Sequence, residues 1–121
     1  MALIALMACT AQAGTDKTLV SWATITDPNV RAGSILTIQQ RSQFDGIVFA
    51  ERAAGKWMAG SDQFRRTNMD QHSRPAETAD GKTLLQMAIV YQDAQIAIYR
   101  NGVLYGKHQA RNIDLLSSDN I

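Results

Sequence analysis

The chain has 121 residues, 45% of them apolar, and a formal net charge of +1. That length holds one domain with a real core and little surplus stability, and it excludes two ordinary domains. The near-neutral balance excludes the basic surface with which nucleic-acid binders displace counterions, and no run of five like charges marks an acidic or basic tail.

The first residues are apolar and small as far as Ala13 and polar after it. Ala11 to Ala13, "AQA", fits the small-x-small pattern of a signal-peptidase site. Residues 1–16 are therefore read as a leader that sends the protein out of the cytoplasm, secreted or periplasmic. No Lys or Arg precedes the apolar run, and the run is short. Three accounts stay open: a secretory signal whose basic start lies upstream of Met1, a lipoprotein signal with Cys9 as the acylated residue of a loose lipobox, or an ordinary apolar N-terminus. Cys9 is the single cysteine, so no internal disulfide can form. No apolar stretch reaches the about 20 residues of a membrane-spanning helix.

From Lys17 the pattern is that of β structure. Strands are expected over "TLVSWATIT" (Thr18 to Thr26), stopped by Pro28, and over "SILTIQQ" (Ser34 to Gln40). A third, "DGIVFAER" (Asp45 to Arg52), is entered by an Asp-Gly turn signal. "GKWMAGS" (Gly55 to Ser61) is a fourth and "QFRRTN" (Gln63 to Asn68) a weaker fifth. Turn signals recur roughly every 8–12 residues, the rhythm of a sandwich or barrel. Met69 to Lys82 has almost no apolar content and reads as a long solvated loop, with room for a short helix at "PAETAD" (Pro75 to Asp80). "TLLQMAIVYQ" (Thr83 to Gln92), "QIAIYR" (Gln95 to Arg100) and "VLYGKHQ" (Val103 to Gln109) form a meander. Its last turn is Asn101-Gly102, the favoured pair for a two-residue hairpin. Ile96 and Ile98 are expected to point inward.

Motifs with chemistry are few. "GKWMAG" lacks the Gly-Lys-Ser/Thr of a phosphate loop, and no Gly-x-Ser-x-Gly elbow is present. His72 and His108 stand alone, without metal-site spacing. Among the acids, only Glu51 sits inside an expected strand, Asp45 belonging to the turn signal that opens it, and no Glu-x-x-x-Glu or Glu-x-Asp-x-Glu supplies the carboxylate pair of a glycosidase. Asp62, Asp70 and Asp80 offer oxygen ligands for calcium without supporting spacing. Trp57, Asp62, Arg65 and Arg66 form the one cluster suited to a sugar. An exposed ring stacks on C–H faces, while Arg and Asp bond hydroxyls. Against this, a tryptophan between glycines in a strand also serves as core.

Taken in order, Ala88 to His108, "AIVYQDAQIAIYRNGVLYGKH", resembles the hairpin region of laminin-G-like domains in the concanavalin A-like lectin/glucanase superfamily. "SWATI" (Ser21 to Ile25) resembles that family's first strand, and Gly33 to Gly60 its following strands. The resemblance spans most of Lys17 to Leu116. It implies an all-β fold, a two-sheet antiparallel jelly-roll sandwich over residues 17–121. It further implies a non-catalytic carbohydrate-binding or interaction module, of the kind appended to secreted glycoside hydrolases. The partners would be a carbohydrate or a neighbouring catalytic domain, and no cofactor is implied. The alternatives are a glycoside hydrolase of the same superfamily and a purely structural accessory domain. The family's closing strand after the Asn-Gly hairpin has no counterpart in "NIDLLSSDNI" (Asn112 to Ile121). The sandwich is thus expected to be incomplete at its C-terminus, with an unpaired edge open to self-association.

Overall fold

The computed structural model describes residues 15–110 and Leu116. The expectations for the leader, for Cys9 and for a missing closing strand fall outside these residues.

Seven strands follow in order: β1 (Lys17–Ala23), β2 (Gly33–Gln40), β3 (Gln43–Phe49), β4 (Trp57–Ser61), β5 (Leu85–Gln92), β6 (Gln95–Arg100) and β7 (Val103–Gln109). They make two antiparallel sheets, β1-β5-β6-β7 and β2-β3-β4. The fold is therefore all-β and sandwich-like, and no helix among the described residues is long and apolar enough to cross a membrane.

Alternation decides which residues enter the core. Leu19 comes from β1, Leu85, Met87 and Ile89 from β5, and Ile96 and Ile98 from β6. They meet Ile47 and Phe49 of β3 and Trp57 and Ala59 of β4. Phe49 and Trp57 pack with ring centroids 4.8 Å apart and planes tilted by 55°, a geometry contributing about 0.5–1.5 kcal/mol beyond area burial.

The meander matches its sequence pattern. Asn101 and Gly102 both have positive φ (49° and 80°), as a primed hairpin turn requires. The β5–β6 turn reaches the same conformation without glycine, at Asp93 and Ala94 (φ 51° and 63°).

Three expectations are corrected. Gln63–Asn68 is not a strand. Asp62–Phe64 form a 3-10 turn, with Gln63 and Phe64 at positive φ. Asp45-Gly46 is not a turn but lies within β3, and the turn before it falls at Arg41-Ser42. The glycine serves close packing, since a Cβ on Gly46 would stand 2.9 Å from the Leu36 carbonyl oxygen. Finally, the 69–82 segment has no helix and is not simply solvated. Gln71 and Arg74 are buried, and the Glu77 side chain is 3% exposed.

That segment is pinned by polar contacts. The Glu77 carboxylate receives Trp57 Nε1–H at 3.1 Å and Arg100 Nε–H at 2.8 Å. Tyr105 links the layers: its hydroxyl donates to Pro75 O at 2.6 Å and accepts from Trp57 N–H at 3.1 Å. Together with Thr67 Oγ1–H to Ala59 O at 2.7 Å, these contacts cover the outer edge of β4. The edge of β1 carries an inward-pointing lysine, Lys17, and β7 has a register irregularity beside Tyr105. Both are devices that discourage edge-to-edge pairing.

Candidate functional site

The outward face of the three-stranded sheet carries an open groove of about 350 Å³. A bulge in β2 between Ser34 and Leu36 builds it. Because Ile35 is the extra residue, Ser34 and Thr37 share the outer face although three positions apart, and Gln39 continues the row. Across from them stand Val48, Gly46 and Phe44 of β3. Ser34 Oγ and Thr37 Oγ1 are 2.7 Å apart above Gly46. A Cβ there would meet them at 3.4 and 3.2 Å. The missing side chain thus makes room for the hydroxyl pair. Phe44, Gln39, Glu51 and Ala32 complete the lining. The groove therefore combines a half-buried aromatic ring, two hydroxyls, an amide and one carboxylate.

Its aromatic member is held from behind by a buried ionic cluster. Phe44 N–H donates to Asp62 Oδ1 at 3.2 Å, and Phe44 O accepts from Arg66 Nη2 at 2.9 Å. Arg66 also donates through Nε to Asp45 Oδ1 at 2.8 Å and through Nη2 to Asp62 Oδ1 at 2.6 Å. On the far side Lys17 Nζ lies 3.1 Å from Asp45 Oδ2, an ion pair rather than an aligned hydrogen bond. It also sits 4.1 Å from the centroid of the Tyr91 ring and donates to Leu116 O at 2.8 Å. The cluster joins the two sheets. Burial pushes the Asp62 carboxyl up, but the bonds from Arg66 and Phe44 outweigh it and hold it below the ordinary range. Burial likewise lowers Lys17, offset in part by Asp45. Arg66 is raised: its two carboxylates prevail over desolvation.

The four residues singled out from sequence are thus separated by role. Trp57 is wholly enclosed, with no face open to a sugar. Arg66 is equally buried, committed to Asp45 and Asp62. Asp62 and Arg66 position Phe44 instead of forming a surface. Arg65, with its side chain 40% exposed and Nη1 3.6 Å from Asp62 Oδ2, lines a separate polar cavity of about 350 Å³ with Gln40, Arg41, Ser42 and Gln43. The Gln39–Phe44 pair lines the groove, whereas the next pair, Gln40–Gln43, alternates to the opposite face of the β2–β3 hairpin and lines this cavity.

Asp62, Asp70 and Asp80 are not gathered into a metal cluster, and no group of three or more metal-ligating side chains occurs among the described residues. Asp70 and Asp80 accept backbone N–H bonds of their own turns. His108 Nδ1 faces Arg74 Nη2 at 3.3 Å and its Nε2 faces Arg66 O at 3.1 Å. A guanidinium only donates and a carbonyl only accepts, so the imidazole carries its proton on Nε2. Burial pushes its pKa down. The Arg66 carbonyl opposes that shift, and the Arg74 charge adds to it.

Sequence reasoning missed the groove because its parts lie in three stretches joined only by register and by a bulge. The available signal was the Ser34-x-x-Thr37-x-Gln39 run facing Phe44-x-Gly46. No family model, no curated protein and no solved structure matches the chain.

Proposed function

We propose that this domain is a non-catalytic carbohydrate-binding module of an extracytoplasmic protein, built as a concanavalin A-like jelly roll of the laminin-G type. The groove on the three-stranded sheet carries the reading. Phe44 offers a ring for the C–H face of a sugar, while Gln39, Ser34, Thr37 and Glu51 supply donors and acceptors for its hydroxyls. The resemblance of Ala88–His108 to the laminin-G hairpin supports the same reading. Glu51 is the one carboxylate among the described lining residues, whereas glycoside cleavage by the usual mechanism takes two. The test is affinity electrophoresis of the full chain against a panel of neutral and acidic glycans. Retardation by at least one, lost in Phe44→Ala and Gln39→Ala, is the expected result. Turnover of any glycan that Glu51→Gln abolishes would instead establish a hydrolase.

A second reading, an accessory domain that packs against a neighbouring domain, has its own observation. Five of the seven exposed large apolar side chains among the described residues lie toward one end of the four-stranded sheet: Val20, Trp22, Leu84, Val103 and Leu104. Trp22 is 58% exposed. A cavity of about 360 Å³ opens beside Val103 and Leu104, between Pro75–Ala76 and the β6–β7 turn. Large apolar side chains exposed at one end of a sheet favour an interaction surface. Loss of partner-domain binding in Trp22→Ser with glycan binding unchanged would favour it.

A further inference from the structure

The groove is unbalanced in charge and in hydrogen bonding. Glu51 is the one charged side chain among its described lining residues, and no Lys, Arg or His lines it. Glu51 has no hydrogen bond or ion pair within the described residues. Two arginines close to it in the chain or the fold serve other partners. Arg31 donates through Nε to Ala50 O at 2.9 Å, and the Arg52 guanidinium lies 5.0 Å from the Phe64 ring centroid. The groove's own donors are largely committed within it. Ser34 Oγ–H faces two groups that only accept, Leu36 O at 3.1 Å and Ile47 O at 3.3 Å. The 2.7 Å contact between Ser34 and Thr37 then takes the Thr37 proton. One Gln39 Nε2–H goes to Arg41 O at 2.8 Å. What faces a ligand is chiefly acceptors: hydroxyl lone pairs, the Gln39 carbonyl oxygen, the Glu51 carboxylate and the negative π face of Phe44.

Resting on the glycan-binding reading above, we infer that the ligand is an amino glycan, an oligomer of a hexose that carries a free amino group. Its ammonium pairs with Glu51 while another ring of the same chain stacks on Phe44. An ammonium has three donors and no acceptor, the complement of an acceptor-rich site. A sugar acid would bring like charge to Glu51, and a neutral sugar would leave that carboxylate without a cation. Length favours an oligomer over a single sugar. Phe44 and Val48 are four positions apart on β3, about 14 Å at the rise of a strand, and Glu51 lies beyond Val48. The selectivity has to come from the groove itself. A chain of net charge +1 exerts no general attraction on a cationic polymer.

The experiment is calorimetric titration of the full chain with three oligosaccharides of equal length: a fully deacetylated glucosamine oligomer, its N-acetylated counterpart and a neutral glucose oligomer. Oligolysine of matched charge serves as the non-sugar probe. Wild-type protein is expected to bind the deacetylated oligomer about tenfold more tightly than either uncharged one, the scale of one charge-assisted hydrogen bond. That preference should vanish when the pH is raised above the ligand amine's own pKa. Glu51→Gln keeps the shape and an acceptor, and it should bring the deacetylated and acetylated oligomers to equal affinity. Thermal melting establishes that the variant is folded, and Glu51→Asp, which keeps the charge on a shorter arm, should retain part of the preference. Equal affinity of the three oligosaccharides for the wild type would overturn this inference and leave the groove reading standing. A preference that survives Glu51→Gln would overturn the assignment to Glu51. Binding of oligolysine as tight as that of the amino glycan would overturn the assignment to a sugar. Silence toward every probe would remove both this inference and the groove reading.

Discussion

Asp45 is fully buried, and its two oxygens face different cations. Arg66 holds one oxygen and Lys17 is paired with the other. Asp45→Asn keeps the shape and removes the charge, which takes the paired carboxylate from buried Lys17 and leaves Arg66 with Asp62. Loss of one partner from a buried ion pair costs about 3–5 kcal/mol, so the variant should show a large drop in denaturant midpoint. A midpoint within error of the wild type would show that the cluster does not join the sheets. Gly102 tests a different residue-scale effect. A Cβ there meets nothing within 4 Å, so Gly102→Val is strained only through its φ of 80°. The cost should be about 1–2 kcal/mol, read from chemical denaturation, with the groove untouched. Ala94 is the converse case, a non-glycine residue at φ 63°. Ala94→Gly should raise stability by up to about 1 kcal/mol, and a lower melting temperature would contradict the turn geometry.

At the scale of elements, the 69–82 segment and the β7 strand depend on titratable contacts. His108 has a folded pKa below its unfolded value of about 6.5, so the unfolded chain binds its proton first. Stability contributed by neutral His108 is therefore present above pH 6.5 and lost as pH falls through the folded pKa. The groups facing the ring are Arg74 and the Arg66 carbonyl, with Tyr105 and Asp70 acting on Arg74. Glu77 behaves alike at lower pH. Burial raises its pKa, but Arg100 and Trp57 prevail and bring it below the ordinary carboxylate value. Its contribution, and that of Asp62, is lost as pH falls below about 4. Melting temperature followed from pH 8 to pH 3 should descend in two steps, and His108→Gln should remove the upper one. A flat profile between pH 7 and 5 in the wild type would contradict the His108 arrangement. The strands themselves were legible because alternation and turn residues are local signals. β6 and β7 fall on their expected bounds, and Ile96 and Ile98 face the core. The long loop was misread because its polarity looked like solvation. Glu77 and Arg74 instead turn inward to partners far along the chain, and Gln71 is buried near them, which no local pattern reports.

For the molecule as a whole, the two sheets do different work. The four-stranded sheet presents the apolar end around Trp22, and the three-stranded sheet presents the groove. Trp57, Asp62, Arg65 and Arg66 drew attention in the sequence as an aromatic and ionic set. The geometry leaves Trp57 in the core, gives Asp62 and Arg66 the task of holding Phe44, and puts Arg65 at a separate polar cavity by the β2–β3 turn. Their neighbourhood was legible, while their division into support and surface depended on long-range register. The central claim is that the Phe44 groove binds sugar. The measurement that tests it most directly is a titration of the full chain with its best-retained glycan, compared with Phe44→Ala at matched folded fraction. Saturable binding in the wild type, weakened at least tenfold in the variant, is predicted. Binding of equal strength in both, or none in the wild type, would contradict it.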